Sequence, residues 1–411
     1  MGLASAPPAP TSPSDRTGPG HAHWLRVARE AADDLATDTV TREQAGKAPF
    51  DEVSRLREAG LLTLLGPAES GGGGADWPTA YAVVREVAAA DGSIGQLLGC
   101  HYFLSWSAQF FAEPILAART EQRSAAEEWC WGGGFARQEP PLMLARTSRG
   151  LVLDGRQSYT TGVLVADRLA VRAVREDTGE PLAIAVDPTR RGVRIDGDVD
   201  TFGQRLAAGG SVEFDDVSVA ADDVLGPLSA DTDEDFLSPR AALASPAGHL
   251  VSVQLLLGMA EGVLAEAREY SRAGQAPSHP AWPVGTAHDP LVLTAYGELT
   301  VLTRSASALA DQAMEAVQGA LALGEDLAYD EYADVSALVA MAEAAASRAA
   351  QECTTRALDI IGPRSTSARL GLDRFWRNAR THTLNEPVAH RLRDVGDYFL
   401  NGAHPPFVLP A

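Results

Sequence analysis

The chain has 411 residues, 45% of them hydrophobic and 22% charged, with a formal net charge of -21. That length allows two or three packed layers, and that composition belongs to a globular protein rather than a disordered or fibrous one. The acidic excess favours solubility, repels phosphate backbones and excludes a nucleic acid as partner.

Residues 1–22, rich in Pro, Ser and Gly, read as a disordered tail rather than a signal peptide. From 23 to 135 the pattern is helical. In DEVSRLREAGLLTLLG, Val53, Leu56 and Ala59 recur at helical spacing before Gly60 breaks the run. ADWPTAYAVVREVAAADGS starts on Asp-Trp-Pro, with proline suited to a first turn, and stops at Asp91-Gly92.

The period then changes to two. In DRLAVRAVRED, Leu169, Val171 and Ala173 alternate with Arg168, Ala170 and Arg172; after DTGE, Leu182, Ile184 and Val186 alternate again. This predicts a β-hairpin, and GVRIDG and SVEFDDVSV continue in the same style. Residues 136–228 are therefore expected to form a small antiparallel, barrel-like β domain. From 243 to 411 the helical period returns, with Leu256, Met259, Val263 and Tyr270 on one face, and a four-helix bundle is expected. The fold class is α+β, mostly α.

Three cysteines (Cys100, Cys130, Cys353) are widely spaced without a CxxC, so neither a disulfide framework nor a zinc knuckle is expected. A reducing cytoplasm suits them. SGGGGADW follows a helix and GxGxxG is absent, so this stretch reads as a loop. HExxH is absent and His21 and His23 fall about the end of the tail, so no metal site is expected. No apolar run is long enough to span a bilayer, and no membrane segment is expected.

RNARTHTLNEPVAH gathers His382, Asn385 and Glu386 before a proline. His382 and Asn385, three apart, share a helix face. Pro387 disfavours helix at Glu386 and suits the start of another helix, marked by Val388, Leu392, Val395 and Phe399. Asn385 or Glu386 is therefore also an ordinary N-cap candidate.

Several longer stretches carry a resemblance. LREAGLLTLLGPAESGGGGADWPTAYAVVREVAAADGS, FGQRLAAGGSVEFDDVSVAADDVLG and ALDIIGPRSTSARLGLDRFWRNART resemble the acyl-CoA dehydrogenase superfamily. GGGADWPTAYAVVREVAAADGSIGQLLGCH, GLDRFWRNARTHTL and VGDYFLNGAHP resemble its oxygenase branch, the two-component flavin-dependent monooxygenases typified by dibenzothiophene monooxygenase. The resemblance implies an acyl-CoA dehydrogenase-like fold, a homotetramer, and reduced FMN (FAD as the alternative) delivered by a separate flavin reductase. It implies O2 as co-substrate and, through a flavin hydroperoxide, oxygenation of S, N or an electron-rich carbon of a small organic molecule in specialised metabolism. Such chemistry needs a dry site with a few well-aimed donors.

The resemblance also implies roles. His382, Asn385, Thr161 and His101 would border the reacting oxygen. Thr160, Thr161, Gly162, Ser211, Arg272 and Arg364 would hold the flavin, and Gln96, Cys100, Trp131 and Gly133 would line the substrate pocket. The chain departs from the pattern, with Asn385 and Gln96 for histidines, Cys100 for tyrosine, Gly133 for asparagine, Thr161 for serine and Ala276 for arginine. For His101 a satisfied core histidine is the competing reading. Two further functions stay open. One is an FAD-dependent acyl-CoA or acyl-thioester dehydrogenase with Glu386 as base, although proline rather than glycine follows it. The other is a binding scaffold that has lost flavin, motivated by the thinned anchors.

Overall fold

The computed structural model describes residues 20–228, 238–273, 277–279, 282–385 and 387–410. Helices come first: α1 (His21–Ala36), α2 (Thr39–Ala45), α3 (Phe50–Glu58), α4 (Trp77–Ala90), α5 (Gly92–Ser105), α6 (Ser107–Phe111) and α7 (Pro114–Ala126). His21 and His23 thus lie inside α1 rather than in a tail, and His21 Nδ1 bonds Thr79 Oγ1 at 2.9 Å. The sequence pattern missed this because tail and helix start share a polar composition. Asp76 caps α4, its carboxylate accepting from the Thr79 N–H at 3.0 Å with Pro78 in the first turn.

Asp91 both ends α4 and begins α5. Its carboxylate accepts from the Ser93 and Ile94 N–H groups at 3.0 and 3.2 Å and from Arg42 Nη2 at 2.9 Å. The Asp-Gly pair that reads as a stop is the corner that aims α5.

The middle region holds β1 (Trp131–Gly134), β2 (Leu142–Thr147), β3 (Gly150–Thr160), β4 (Arg168–Arg175), β5 (Pro181–Val186), β6 (Val193–Asp196), β7 (Gly210–Val219) and β8 (Val224–Pro227). The predicted hairpin is β4 and β5, with Leu169 opposite Val186 and Ala173 opposite Leu182. The sheet runs β6-β7-β3-β2-β4-β5-β8, and β1 also pairs with β4. It is mixed rather than purely antiparallel, because β1 and β2 both lie parallel to β4. Period-two burial is the same in either direction, so alternation could not specify this. Leu153, Leu169, Val171, Ile184, Val212 and Phe214 form its own core.

The last part holds α8 (Pro239–Ala242), α9 (Ala244–Ala273), the short strands β9 (Pro277–His279) and β10 (Trp282–Gly285), α10 (Pro290–Leu323), α11 (Tyr329–Ile361), α12 (Asp373–Asn385) and α13 (Val388–Asn401). Residues 239–273 are long and apolar enough to cross a membrane, but 72% of their most apolar window is buried, which marks a core helix. Leu256, Met259 and Val263 are buried as expected and Tyr270 is half-buried. The early and late helices share one core. They approach closely through glycine: a Cβ on Gly258 would lie 2.4 Å from Arg85 O, and one on Gly262 2.1 Å from Ala89 O.

Candidate active site

Every residue of α5 from Gly92 to Leu104 is buried except Gln96 and Cys100, which stand one turn apart. This stripe faces β1: Cys100 Sγ lies 3.9 Å from Gly133 O. The Gly133 N–H in turn donates to Thr161 O at 2.9 Å, and the Gly162 N–H to Ala207 O at 3.0 Å. The structure therefore brings Cys100, Gly133, Thr161 and Gly162 to one seam, with Gln96 on the adjoining turn. Gly133 has φ +123°, and a Cβ there would lie 2.1 Å from Ala170 O. Thr160 is buried at the end of β3, opposite Gly210. Burial pushes the Cys100 thiol up to about 12, so it lines the seam as a neutral group.

Beside this seam the backbone is strained. Tyr159, Gln204 and Ala208 have φ of +54°, +55° and +52°. Each such residue costs on the order of 1–3 kcal/mol, and such strain gathers at ligand clamps. Three buried polar atoms, on β3, on the loop before β7 and on α12, have no partner among the described residues: Gln157 Oε1, Gln204 Oε1 and Thr381 Oγ1. A Cβ on Gly134 would meet nothing within 4 Å. Open space, strained loops and unpartnered polar atoms together fit a planar, hydrogen-bonding group such as flavin.

Helix α12 is tied to this region. Asn378 Oδ1 accepts from the Gln204 N–H at 2.7 Å, and Arg377 Nη1 donates to Phe202 O at 2.8 Å while also pairing with Glu43. Four and seven residues beyond Asn378, His382 and Asn385 line one small cavity of about 30 Å³ with Ser252, Glu343, Ser347 and Arg391. The His382 Nδ1 atom is buried without a hydrogen-bond partner among the described residues. Burial lowers His382 to about 4, with Glu343 opposing the shift, so the ring is neutral at neutral pH. Asn385 is the last, exposed residue of α12. Glu386 lies outside the described residues, and so does Ala276.

Other expected site residues sit differently. His101 is fully buried; its Nε2 bonds Leu62 O at 2.7 Å and its Nδ1 accepts from the Trp131 N–H at 3.0 Å. With both nitrogens spent on backbone, it acts as a strut between the α3–α4 connection and β1, not as a group at the reacting oxygen. The Trp131 side chain turns into the core, with Nε1 donating to Ser124 Oγ at 2.8 Å, so only its backbone belongs to the seam. Ser211 Oγ donates to Asp198 Oδ1 at 2.6 Å, an anion that disfavours a phosphate there. Arg272, at the end of α9, is exposed and 3.4 Å from Glu269 Oε1. Arg364 is exposed in the turn Gly362–Thr366 and pairs with no carboxylate among the described residues.

Residues not singled out from the sequence also build the site: Asn378, Gln204, Gln157, Thr381 and Glu343. Glu343 carried a readable signal. It is an acid on the apolar face of α11, between buried Val339 and Ala346, and a buried charge needs a partner.

Residues 21–122 match the family described as acyl-CoA dehydrogenase, N-terminal domain, and residues 250–386 its C-terminal domain. Dibenzothiophene monooxygenase of Mycolicibacterium goodii is 34% identical over 395 residues, 94% of this chain and 95% of its own. The probable FMNH2-dependent monooxygenase SfnC of Pseudomonas putida is 33% identical, covering 93% of this chain and 95% of its own. The crystal structure of FMN-bound TdsC from Paenibacillus sp. A11-2 superposes with a TM-score of 0.88 at 34% identity, covering 95% of this chain and 99% of that one. Family matches at both ends and relatives alike over nearly the whole length lead to one conclusion: the chain belongs to the acyl-CoA dehydrogenase superfamily, among its flavin-dependent monooxygenases.

Proposed function

We infer that this protein is a two-component monooxygenase that places one atom of O2 on the sulfur, nitrogen or electron-rich carbon of a small organic molecule. The observation that carries the reading is its end-to-end likeness, at 34% identity, to a monooxygenase solved with FMN. Reduced FMN from a separate reductase supplies two electrons, so one oxygen atom enters product and the other leaves as water.

The chain's own residues have the following parts. The Thr160–Gly162 backbone, with Thr161 Oγ1, holds the edge of the flavin ring, and Gln157, Gln204 and Thr381 offer it their unpartnered atoms. Arg364 and Arg272 are the phosphate contacts; both are exposed in one protomer, which suits a site completed by a second copy, and we assign a homotetramer. His382, neutral, presents an imidazole nitrogen as a hydrogen-bonding group beside the reacting oxygen, and Asn385 donates or accepts a hydrogen bond without titrating. Gln96, Cys100 and Gly133 shape the substrate wall. Their small or neutral side chains give a cavity unlike one walled by tyrosine and histidine, so dibenzothiophene is not the expected substrate. The three cysteines are free thiols, which suits a cytoplasmic enzyme.

Aerobic incubation with reduced FMN, a reductase and compound pools under 18O2 tests the reading: a product heavier by one labelled oxygen supports it, and peroxide alone across the pools contradicts it. Bleaching of bound flavin by acyl-CoA under anaerobic conditions would instead favour the dehydrogenase reading with Glu386 as base. Absence of FMN and FAD binding would favour a scaffold.

A further inference from the structure

Behind His382 lies a charged cluster that the oxygenation chemistry does not use. Glu343 of α11 lies with its Oε2 2.9 Å from Arg391 Nε and 3.4 Å from His249 Nδ1, and Arg391 Nη1 is 3.6 Å from Asp394 Oδ2. His249 comes from α9, Arg391 and Asp394 from α13, and on His382's own helix Arg380 turns to Thr383 Oγ1 at 3.4 Å. Burial alone would raise the Glu343 carboxyl, but His249 and Arg391 hold it below its ordinary value, so it stays an anion.

Two side-chain atoms of residues that line the cavity lack a hydrogen-bond partner among the described residues. His382 Nδ1 has no hydrogen-bond partner, and Glu343 Oε2 has charge partners but no well-aligned hydrogen bond. They do not bond each other. Both residues line the cavity of about 30 Å³, with Ser252, Ser347 and Thr383 also on its walls. A polar cavity needs about 10–15 Å³ to hold a water, together with two to four polar partners. This one meets both conditions.

We propose that this cavity is a water site and that the Glu343 carboxylate, acting through the water, holds His382 in its Nδ1–H tautomer with Nε2 bare. The water donates to the carboxylate and accepts from Nδ1–H. An anion on that side favours the proton on the nearer nitrogen, as acidic partners do for metal-bound and catalytic histidines. Glu343 is then a positioning residue. The bare Nε2 makes His382 an acceptor toward whatever binds beside α12. That last consequence rests on the monooxygenase reading; the tautomer does not.

The test is 15N NMR of the histidine-labelled apoprotein at pH 7.5, with the His382 signals assigned from a His382→Asn variant. The expected result is an Nδ1–H tautomer in the wild type and inversion of the ratio toward Nε2–H in Glu343→Gln. Since removing the anion leaves Arg391 short of charge, Ser252→Val serves as the second variant. It fills the cavity, excludes the water, leaves the Glu343–Arg391 pair intact, and is expected to give the same inversion. A wild type in the Nε2–H tautomer, or folded variants with an unchanged ratio, overturns the proposal. Since no flavin is present, failure here leaves the oxygenase assignment standing, and failure to oxygenate leaves this result standing.

Discussion

His101 is fully buried and His382 half-buried, and desolvation pushes both from the ordinary imidazole value to about 4. Their surroundings differ. His101 joins two backbone groups far apart in the chain, Leu62 O and the Trp131 N–H, and has nothing left to offer. His382 keeps a nitrogen that has no partner among the described residues, at a polar cavity shared with a buried carboxylate. A shared titration shift therefore identifies neither as catalytic; the unspent hydrogen-bonding capacity does.

The sharpest way to break that contrast is stability. His101→Ala leaves a buried carbonyl and a buried N–H unpaired around a new cavity, so unfolding free energy should fall by about 3–5 kcal/mol. His382→Ala should cost less than about 2 kcal/mol. Urea denaturation of both variants measures this, and equal losses would erase the distinction.

Acid stability comes next. Each ring resists protonation when folded but accepts a proton near 6.5 when unfolded, so the unfolded chain binds more protons between those values. The contribution is whole above about pH 6.5 and falls away as pH drops toward about 4, by up to about 3 kcal/mol per histidine. Denaturation midpoints from pH 4 to 7 should fall along this window, and less steeply in His382→Ala. A flat profile would mean that the rings are solvated.

Arg364→Ala should weaken FMN binding by about one to two orders of magnitude, the effect of losing about 1.5–3 kcal/mol of charged contact. Fluorescence titration with reduced and oxidised FMN reads it, and an unchanged affinity would remove Arg364 from the phosphate site. The smallest effect concerns Cys100. With its thiol pushed to about 12, native protein at pH 8 should leave it unalkylated by iodoacetamide while denatured protein reacts within minutes. Peptide mass spectrometry reports the difference.

Much of the fold was legible because burial writes a period into the chain. The α9 face through Leu256, Met259 and Val263 and the hairpin from Arg168 to Val186 stand where their spacing puts them. The parallel placement of β1 and β2 on β4 was not legible, since strand direction leaves no mark on alternation. In the site, Cys100 and Gly133 were readable as neighbours through resemblance, and His382 and Asn385 through helical spacing. The duty of His101 was hidden because its partners are backbone groups, which carry no side-chain signature. The partner of His382 was hidden because Glu343 stands 39 positions upstream on another helix, although its place on an apolar face could have raised the question.

The most direct measurement of the central claim is the share of reduced FMN returned as hydrogen peroxide during turnover under 18O2, in wild type and in His382→Ala. The wild type should give mostly labelled product and little peroxide. The variant should give a product yield lower by at least about tenfold, with peroxide making up the loss and the protein still folded. Equal yields from the two proteins would contradict it.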